Sequence, residues 1–170
     1  MADLLHEIAQ SLIERFGAQP SEFRGELSLT IEAEHIIEVI RSLKSEFNIE
    51  MLEDETAVDY WPQEKPRFHV IYQFYSFKHN TRLCLRVHLD GNSPSLPSIE
   101  MIYPNANWLE RELWDMFGIH FENHSDLRRI LMPHDWEGHP LRKNFPLGYE
   151  EVQFTFNFNE IDLRKPYAKE

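Results

Sequence analysis

The chain has 170 residues, a length typical of a single domain with its own hydrophobic core. It carries 29 acidic against 17 basic residues, a formal net charge of −12. Residues 1 to 60 hold 14 of the acids and only 4 of the bases. Because a nucleic-acid-binding protein needs a concentrated basic surface to displace counterions, the sequence predicts no nucleic-acid partner.

The compartment and the relation to membranes follow from cysteine use and hydropathy. Cys84 is the single cysteine and cannot form an internal disulfide, so we expect a buried thiol in a reducing compartment. The first residues lack the basic and apolar regions of a targeting segment. No window has the roughly 18 to 20 apolar residues that cross a bilayer. We therefore expect a soluble chain, without direct membrane insertion, that reaches a membrane only through partners.

The first third of the chain predicts the order helix, strand, helix. Apolar residues at helical spacing run from Leu4 to Phe16 and stop at Gly17, which suits the position just past a helix end. Apolar and polar residues alternate from Leu27 to Ile31, as in a half-buried strand. The helical period returns from Ile36 to Phe47.

The middle of the chain predicts strands. Met51 to Ala57 is interpreted as a strand although three acids lie together within it. Phe68 to Phe77 and Thr81 to Leu89 are rich in β-branched and aromatic residues, and the short polar segment between them predicts a hairpin. Glycine and prolines from Asp90 to Pro97 predict a loop.

The last third predicts one more helix and a tail. Residues 105 to 117 predict a helix with Asn105 or Asn107 as its N-cap and Gly118 after its end. Its expected inward face is formed by Trp108, Leu109, Leu113, Met116 and Phe117. The fold class is therefore α+β: a mainly antiparallel sheet covered by two N-terminal helices, a third helix, and an extended C-terminal tail. We place the domain at residues 1–147 and expect the tail, 148–170, to lie on a partner.

The third helix carries charges of both signs. Arg111 and Asp115 are four residues apart and can pair, whereas Glu112 and Asp115 repel unless a cation lies between them. The candidate cations that follow in the sequence are Arg128, Arg129, Arg142 and Lys143. With Glu110, these groups are interpreted as an ion-pair network that fixes the following loop, in preference to an acid–base catalyst. Arg142 and Glu112 are expected to share this network.

A metal site is the alternative interpretation of the same region. Four histidines lie among carboxylates there: His120, His124, His134 and His139. Zinc sites use such groups, but the spacing matches no compact ligand signature and no thiolate is nearby. We favour histidines that donate hydrogen bonds or lie at an interface, and a free-standing metal-dependent hydrolase is the distant alternative.

The segment from Trp136 to Pro140 has the composition of a rigid turn. Gly138 tolerates unusual dihedral angles, and Pro140 biases His139 towards extended conformations. Exposed Trp and Arg side chains are enriched at interface hot spots. We therefore predict a docking surface here rather than an ordinary surface turn.

Several short motifs occur in one order between residues 110 and 143. They are E-R-E-x-x-D from Glu110 to Asp115, His124 with Arg128 four residues later, the pair Ile130 and Leu131, and W-E-G-H-P-L-R-K from Trp136 to Lys143. This compound pattern resembles the 30 kDa (C) subunit family of the proton-pumping NADH:quinone oxidoreductase, respiratory complex I. Asn144, where the family commonly has Asp, and His134, where an acid is common, depart from it.

The resemblance implies a peripheral-arm subunit beside the 49 kDa (D) subunit, on the cytoplasmic side of a bacterial inner membrane. It implies no catalytic residue, metal or cofactor in this chain, with FMN, iron–sulfur clusters and quinone held by neighbouring subunits. The motif residues implied at the subunit interface are Glu110, Arg111, Glu112, Asp115, His124, Arg128, Arg129, Trp136, His139, Arg142 and Lys143. The equivalent subunit of a ferredoxin- or F420-dependent complex, or of a membrane-bound hydrogenase, is the alternative.

Overall fold

The computed structural model describes residues 2 to 91 and 93 to 146. Three α-helices and one 3-10 turn form in this part of the chain. They are α1 (Ala2–Phe16), the 3-10 turn (Ala33–His35), α2 (Ile36–Ser45) and α3 (Ala106–Phe117). The expected tail, residues 148–170, lies outside the described residues. No helix in the described ranges is long and apolar enough to cross a membrane.

Five strands form one mixed sheet in the order β1-β2-β5-β4-β3. Their bounds are β1 Gln19–Phe23, β2 Glu26–Ile31, β3 Met51–Asp59, β4 Phe68–Ser76 and β5 Thr81–Leu89. Three of the neighbouring pairs are antiparallel, and β2 runs parallel to β5. A second, two-stranded parallel sheet joins β6 (Ser95–Pro97) to β7 (His120–Glu122).

The core lies between one face of the five-stranded sheet and the helices. Alternate residues of β4 are fully buried on that face, as strand geometry requires: Phe68, Val70, Tyr72 and Phe74. From the helical side, Phe117 contacts Phe68 edge-on and Tyr103 contacts Phe74, with ring centroids 6.4 and 5.4 Å apart. The alternate residues of β4 that point to the opposite face are only half-buried, so none of the described helices covers that face.

The α+β class, the three helices and the central hairpin are confirmed. Three expectations were incomplete or wrong. β1 was missed because all five of its residues are exposed and show no apolar alternation. The loop predicted at residues 90 to 97 contains β6. Cys84 is half-buried on the uncovered face of the sheet, where burial raises the pKa of its thiol.

The acidic run within β3 is accommodated by an irregularity in the sheet. The register with β4 shifts between Leu52 and Asp54, which allows two consecutive acids, Glu53 and Asp54, to remain exposed. The next residue, Glu55, points into the core and is 3% exposed. A strand can therefore carry three acids in succession while burying only one of them.

The helix α3 is attached to the β3 edge by polar contacts. The N-cap residue is Asn105, but its side chain donates to the Leu52 carbonyl (2.9 Å) rather than capping the helix. The Tyr103 hydroxyl donates to the Ile49 carbonyl (2.5 Å). Trp108, expected to face inward, is 58% exposed, so that prediction was wrong.

Candidate functional site

The C-terminal end of α3 is the centre of the candidate site. The last carbonyls of a helix have no partner within the helix and must find one elsewhere. Here the Asp115 carbonyl accepts from His139 Nδ1 (3.0 Å), and the Met116 carbonyl accepts from the Leu141 amide (3.0 Å). The Phe117 carbonyl accepts from Arg142 Nε (2.5 Å). We call residues 129–142 the capping segment because they satisfy this helix end.

The side chain of Asp115 fixes the beginning of the capping segment. Its Oδ2 accepts three successive backbone amides, from Ile130 (3.0 Å), Leu131 (2.8 Å) and Met132 (2.9 Å). Its Oδ1 accepts from Arg129, and the carboxylate is fully buried. Burial alone would raise the pKa of Asp115, but the Met132 amide, Arg129 and the other two amides together hold it below its ordinary value.

Arg129 extends this contact to the far end of the segment. Its Nη2 donates to the carbonyls of Trp136 (2.8 Å) and Gly138 (3.0 Å). Its guanidinium lies over the Trp114 ring, 5.6 Å from the centroid. One buried cation thus joins the helix, its own loop and the turn, using the several donors that arginine presents in one plane.

The predicted ion-pair network forms only in part. Asp115 pairs with Arg129 rather than with Arg111. Arg111 instead donates to the carbonyls of Arg128 (3.1 Å) and Arg129 (3.2 Å). Arg128 pairs with Asp126 at the surface, where both side chains are more than half exposed. The expected Arg111–Asp115 pair and the role of Arg128 as a partner for α3 were therefore wrong.

Arg142 and Glu112 do not share a network. Arg142 donates to the backbone at Phe117 and lies over the Phe68 ring, 5.3 Å from its centroid. Glu112 is exposed and forms no ion pair with any of the described residues. Arginine was expected to bind a carboxylate, but the helix end supplied neutral carbonyls that attract cations through the helix dipole.

The aromatic and imidazole groups of the turn face inward. Trp136 is half-buried and stacks with Phe145, with ring centroids 6.4 Å apart. His139 is half-buried, meets Trp114 edge-on, and has its pKa lowered by burial. Trp136 and Arg142, whose types were expected to be exposed here, are both half-buried. Whether this region contacts a partner stays a prediction.

A second polar cluster holds the segment before the capping segment. His124 Nδ1 accepts the Asp126 amide (3.0 Å), so the ring proton is on Nε2, which donates to the Asn107 carbonyl (3.0 Å). Glu100 accepts from the Ser125 amide (2.6 Å) and from Asn107 Nδ2 (2.7 Å). His124 is therefore a buried link between α3 and the loop, with both ring nitrogens engaged.

Sequence reasoning missed a buried anchor at the other end of β3. Arg67 binds Asp59 with two bonds, of 2.9 and 2.8 Å, and also donates to Asn144 Oδ1 (2.7 Å). Asp59 accepts the backbone amide of Lys143 (2.9 Å), a residue 84 positions later. This anchor positions the residues that follow the capping segment. No local pattern marks it because its parts are distant in the sequence.

The histidines of the region do not converge. His120 and His134 are exposed, while His124 and His139 bind separate backbone carbonyls. Within residues 2–91 and 93–146 there is no group of three or more His, Cys, Asp or Glu side chains placed to hold a metal ion. The contacts described above hold the capping segment against α3.

Comparisons with known proteins agree with the motifs. A sequence model of the family described as respiratory-chain NADH dehydrogenase, 30 Kd subunit, matches residues 29–151. The NADH-quinone oxidoreductase C subunit of Roseiflexus sp. (strain RS-1) is 51% identical over 152 residues, 88% of this chain and 87% of that protein. NADH-ubiquinone oxidoreductase subunit 9 of Reclinomonas americana is 37% identical, covering 86% of this chain and 84% of that protein.

Solved structures share the fold. The trypsin-resistant fragment (1-134) of Nqo5 superposes with a TM-score of 0.66 at 29% identity, covering 73% of this chain and 99% of the fragment. A chain of the archaeal membrane-bound sulfane sulfur reductase superposes with a TM-score of 0.72 at 24% identity, covering 86% of this chain and 85% of that one. The chain belongs to the 30 kDa subunit family of respiratory-chain NADH dehydrogenase, complex I.

Proposed function

We propose that the chain is the C subunit in the peripheral arm of a proton-translocating NADH:quinone oxidoreductase. Its role there is to support assembly beside the 49 kDa (D) subunit. The observation that carries this proposal is the 51% identity with the Roseiflexus C subunit along 88% of the chain. A relationship that spans nearly the whole domain supports a common place in a complex as well as a common fold.

The geometry of the site favours docking over catalysis. Asp115 on α3 and Arg129 and Arg142 of the capping segment use their charged groups to satisfy backbone atoms inside the protein. Three large apolar side chains are exposed nearby in the sequence: Trp108 on α3, and Leu131 and Leu141 of the capping segment, are 58%, 60% and 52% exposed. We call these three residues the outward patch. Exposed apolar side chains around such a rigid loop are typical of protein–protein interfaces.

The buried bonds explain why the outward patch suits a permanent partner. Asp115 holds three successive amides, which include that of Leu131, so the backbone under the patch is fixed before binding. Arg142 and the Leu141 amide likewise tie the position of Leu141 to the helix end. A pre-organised surface loses less conformational entropy on association. The ion pairs therefore contribute to docking indirectly, by positioning apolar groups.

The chemistry of the complex would then lie in other subunits. One cysteine cannot supply the roughly four protein ligands of an iron–sulfur cluster. FMN, iron–sulfur clusters and quinone are accordingly proposed for neighbouring chains, and the chain contributes to an oxidoreductase without being catalytic alone. Attachment to the cytoplasmic side of a bacterial inner membrane would come through the complex.

Purification of the full-length tagged chain from its own cells tests this function. We expect the 49 kDa subunit and a flavin-containing NADH-oxidising module to co-purify and to reduce quinone with NADH. Recovery of the chain without other respiratory subunits would contradict the proposal. A tagged exposed-surface control, Phe23→Ala, should recover the same set of proteins, because β1 is at the edge of the sheet opposite β3, the strand to which α3 is attached.

A related complex is the second candidate. The same fold occurs in the sulfane sulfur reductase, an archaeal respiratory membrane complex, which shows that this architecture is used in another assembly. In that case a ferredoxin- or F420-dependent module, or a hydrogenase, would co-purify in place of the NADH-oxidising module. The identity of the electron-input subunits in the purified complex distinguishes the two candidates directly.

A further inference from the structure

Two acids and a phenol are buried together between α3 and the sheet, away from the capping segment. Glu55 on β3 lies directly opposite Tyr72 on β4 in the sheet register. Glu110 reaches this place from α3. Glu55 is 3% exposed, and Tyr72 and Glu110 are completely buried. Glu110 was expected in the ion-pair network that fixes the loop after α3, but it is buried in this cluster and accepts hydrogen bonds from Ser98 and Ile99 instead.

The hydrogen bonds are distributed unequally between the two carboxyls. Glu110 accepts from the Ser98 hydroxyl (2.6 Å) and from the Ile99 amide (2.7 Å). Both carboxyl oxygens of Glu55 and the hydroxyl of Tyr72 are buried and form no hydrogen bond of good geometry with any of the described residues. A buried ionised carboxylate requires donors or a cation, since it has lost its hydration. Among the residues that the structure describes, Glu55 has no such partner in bonding geometry.

The charged groups that face the cluster are acidic. Glu110 on α3 and Asp54, the preceding residue on β3, both disfavour the ionised form of Glu55 by charge repulsion. Glu100, in the preceding loop, raises the pKa of Glu110 by charge repulsion. His124 Nε2 lies 3.8 Å from an oxygen of Glu110, but its proton is donated to the Asn107 carbonyl. Within the described part of the chain, the surroundings therefore provide no cation that would stabilise two carboxylate anions.

The electrostatics agree with this geometry. Burial, followed by repulsion from Glu110, raises the pKa of Glu55 well above its ordinary value, against a smaller opposing effect of the Tyr72 hydroxyl. Burial likewise raises the pKa of Glu110 to about 7, against the opposing bonds from Ser98 and Ile99. Burial and the neighbouring Glu55 raise the pKa of Tyr72, so its phenol stays neutral. Two nearby carboxyls that cannot both ionise retain a proton between them.

We propose that Glu55 and Glu110, with Tyr72, form an internal proton-binding site that couples the attachment of α3 to pH. At neutral pH Glu55 is un-ionised and Glu110 takes the Ser98 and Ile99 bonds. Loss of the proton at alkaline pH places two anions in the core and loosens α3 from β3. Because α3 carries Asp115 and the helix end, the capping segment is loosened with it.

The direction of the pH effect follows from proton linkage. In the unfolded chain an ordinary Glu ionises near pH 4.3, whereas the folded chain keeps its proton on Glu55. The folded state therefore binds more protons above that pH, and its stability falls as pH rises through the folded pKa. Between the unfolded and the folded pKa, each such group raises the unfolding equilibrium constant about tenfold per pH unit.

Urea unfolding of the full-length chain from pH 6 to pH 9 tests the proposal with Glu55→Gln. The unfolding constant of the parent should rise by about tenfold per pH unit more than that of Glu55→Gln until Glu55 ionises. Glu38→Gln, at an exposed position of α2, should follow the parent. Equal pH slopes for the parent and Glu55→Gln would overturn the proposal.

A direct titration covers the case in which the Glu55 variant does not fold. In the parent chain labelled with carbon-13 at glutamate, the assigned Glu55 carboxyl resonance should keep its un-ionised position at pH 6. Hydrogen exchange of the α3 amides should then increase with pH more steeply than that of the α2 amides. Titration of Glu55 near its ordinary pKa of about 4.3 would overturn the proposal independently of any variant.

Discussion

Asp115 and Arg129 form a buried pair in which each partner also binds the backbone of the capping segment. The Asp115 carboxylate accepts the amides of residues 130–132, and Arg129 donates to the carbonyls of Trp136 and Gly138. The pair is 0% and 13% exposed. The pair therefore does more than neutralise charge: it sets the path of the loop that carries Leu131 and Leu141 of the outward patch.

Asp115→Asn should destabilise the chain strongly. The amide leaves Arg129 without its anion and places an N–H₂ group where a carboxylate oxygen accepted bonds. Removing one partner of a buried pair costs about 3 to 5 kcal/mol. Urea unfolding at pH 7 measures this loss. Asp126→Asn, at the exposed pair with Arg128, is the matched control and should cost no more than about 1 kcal/mol.

The lowered pKa of Asp115 predicts that the folded chain loses stability at acid pH. Because the folded pKa of Asp115 is lowered, its contribution to stability is complete above the unfolded pKa of about 3.9 and is lost as pH falls through the folded pKa. The stability difference between the parent and Asp115→Asn should therefore shrink below about pH 4. A difference that stays constant down to pH 2 would show that the charge of Asp115 does not contribute to stability.

Arg142 and Glu112 should behave independently. Arg142→Ala leaves the Phe117 carbonyl unpaired and should cost about 1 to 3 kcal/mol, whereas Glu112→Ala should change stability by less than about 0.5 kcal/mol. In a double-mutant cycle the interaction energy should be within about 0.5 kcal/mol of zero. An interaction energy above about 1 kcal/mol would instead support the shared network of Arg142 and Glu112 that the sequence pattern had suggested.

Alanine substitutions at two glycines with similar backbone angles distinguish the stability cost of backbone strain from the cost of a steric clash. Gly17 and Gly118 follow α1 and α3 with φ of +66° and +71°. A Cβ at Gly17 meets nothing within 4 Å, but at Gly118 it would lie 2.5 Å from the His139 ring and 2.8 Å from Arg142. Gly17→Ala should cost about 1 to 2 kcal/mol from strain alone. Gly118→Ala should cost measurably more in thermal unfolding, and equal costs would contradict the described packing.

The elements that could be predicted from the sequence are those whose pattern is local. Hydrophobic periodicity identified the helix that ends at Phe16 and the central hairpin, and Gly118 marked the end of α3. β1 could not be predicted because its residues are all exposed. β6 has only three residues, and it is defined by its parallel partner β7, which lies in a distant part of the sequence. Pairing between distant segments leaves no periodic signal.

The candidate site was predicted as a region but not as a set of contacts. The charge pattern correctly placed Asp115 and Arg129 in it. It could not show that Arg142 binds backbone carbonyls, because a helix end attracts cations without any acidic residue. Nor could it reveal that Glu110 is buried while Glu112, two residues later on the same helix, is exposed, because the exposure of each depends on tertiary packing.

Metal analysis of the purified chain gives a further prediction. Both ring nitrogens of His124 already bind backbone groups, so we expect no stoichiometric zinc or iron and no flavin absorbance. His124→Ala should lower stability without changing metal content. One tightly bound metal per chain that is lost in His124→Ala would instead favour the metal-enzyme alternative.

Assembly of the complex with an altered outward patch is the most direct test of the central claim. In the tagged chain, Trp108→Ala combined with Leu131→Ser should leave the unfolding temperature of the isolated chain nearly unchanged, because both side chains are more than half exposed. Loss of a hot spot worth about 2 kcal/mol weakens binding roughly 30-fold. The amount of co-purified 49 kDa subunit should therefore fall sharply relative to Phe23→Ala. Equal recovery in the two variants would contradict the assignment of this surface as the docking site.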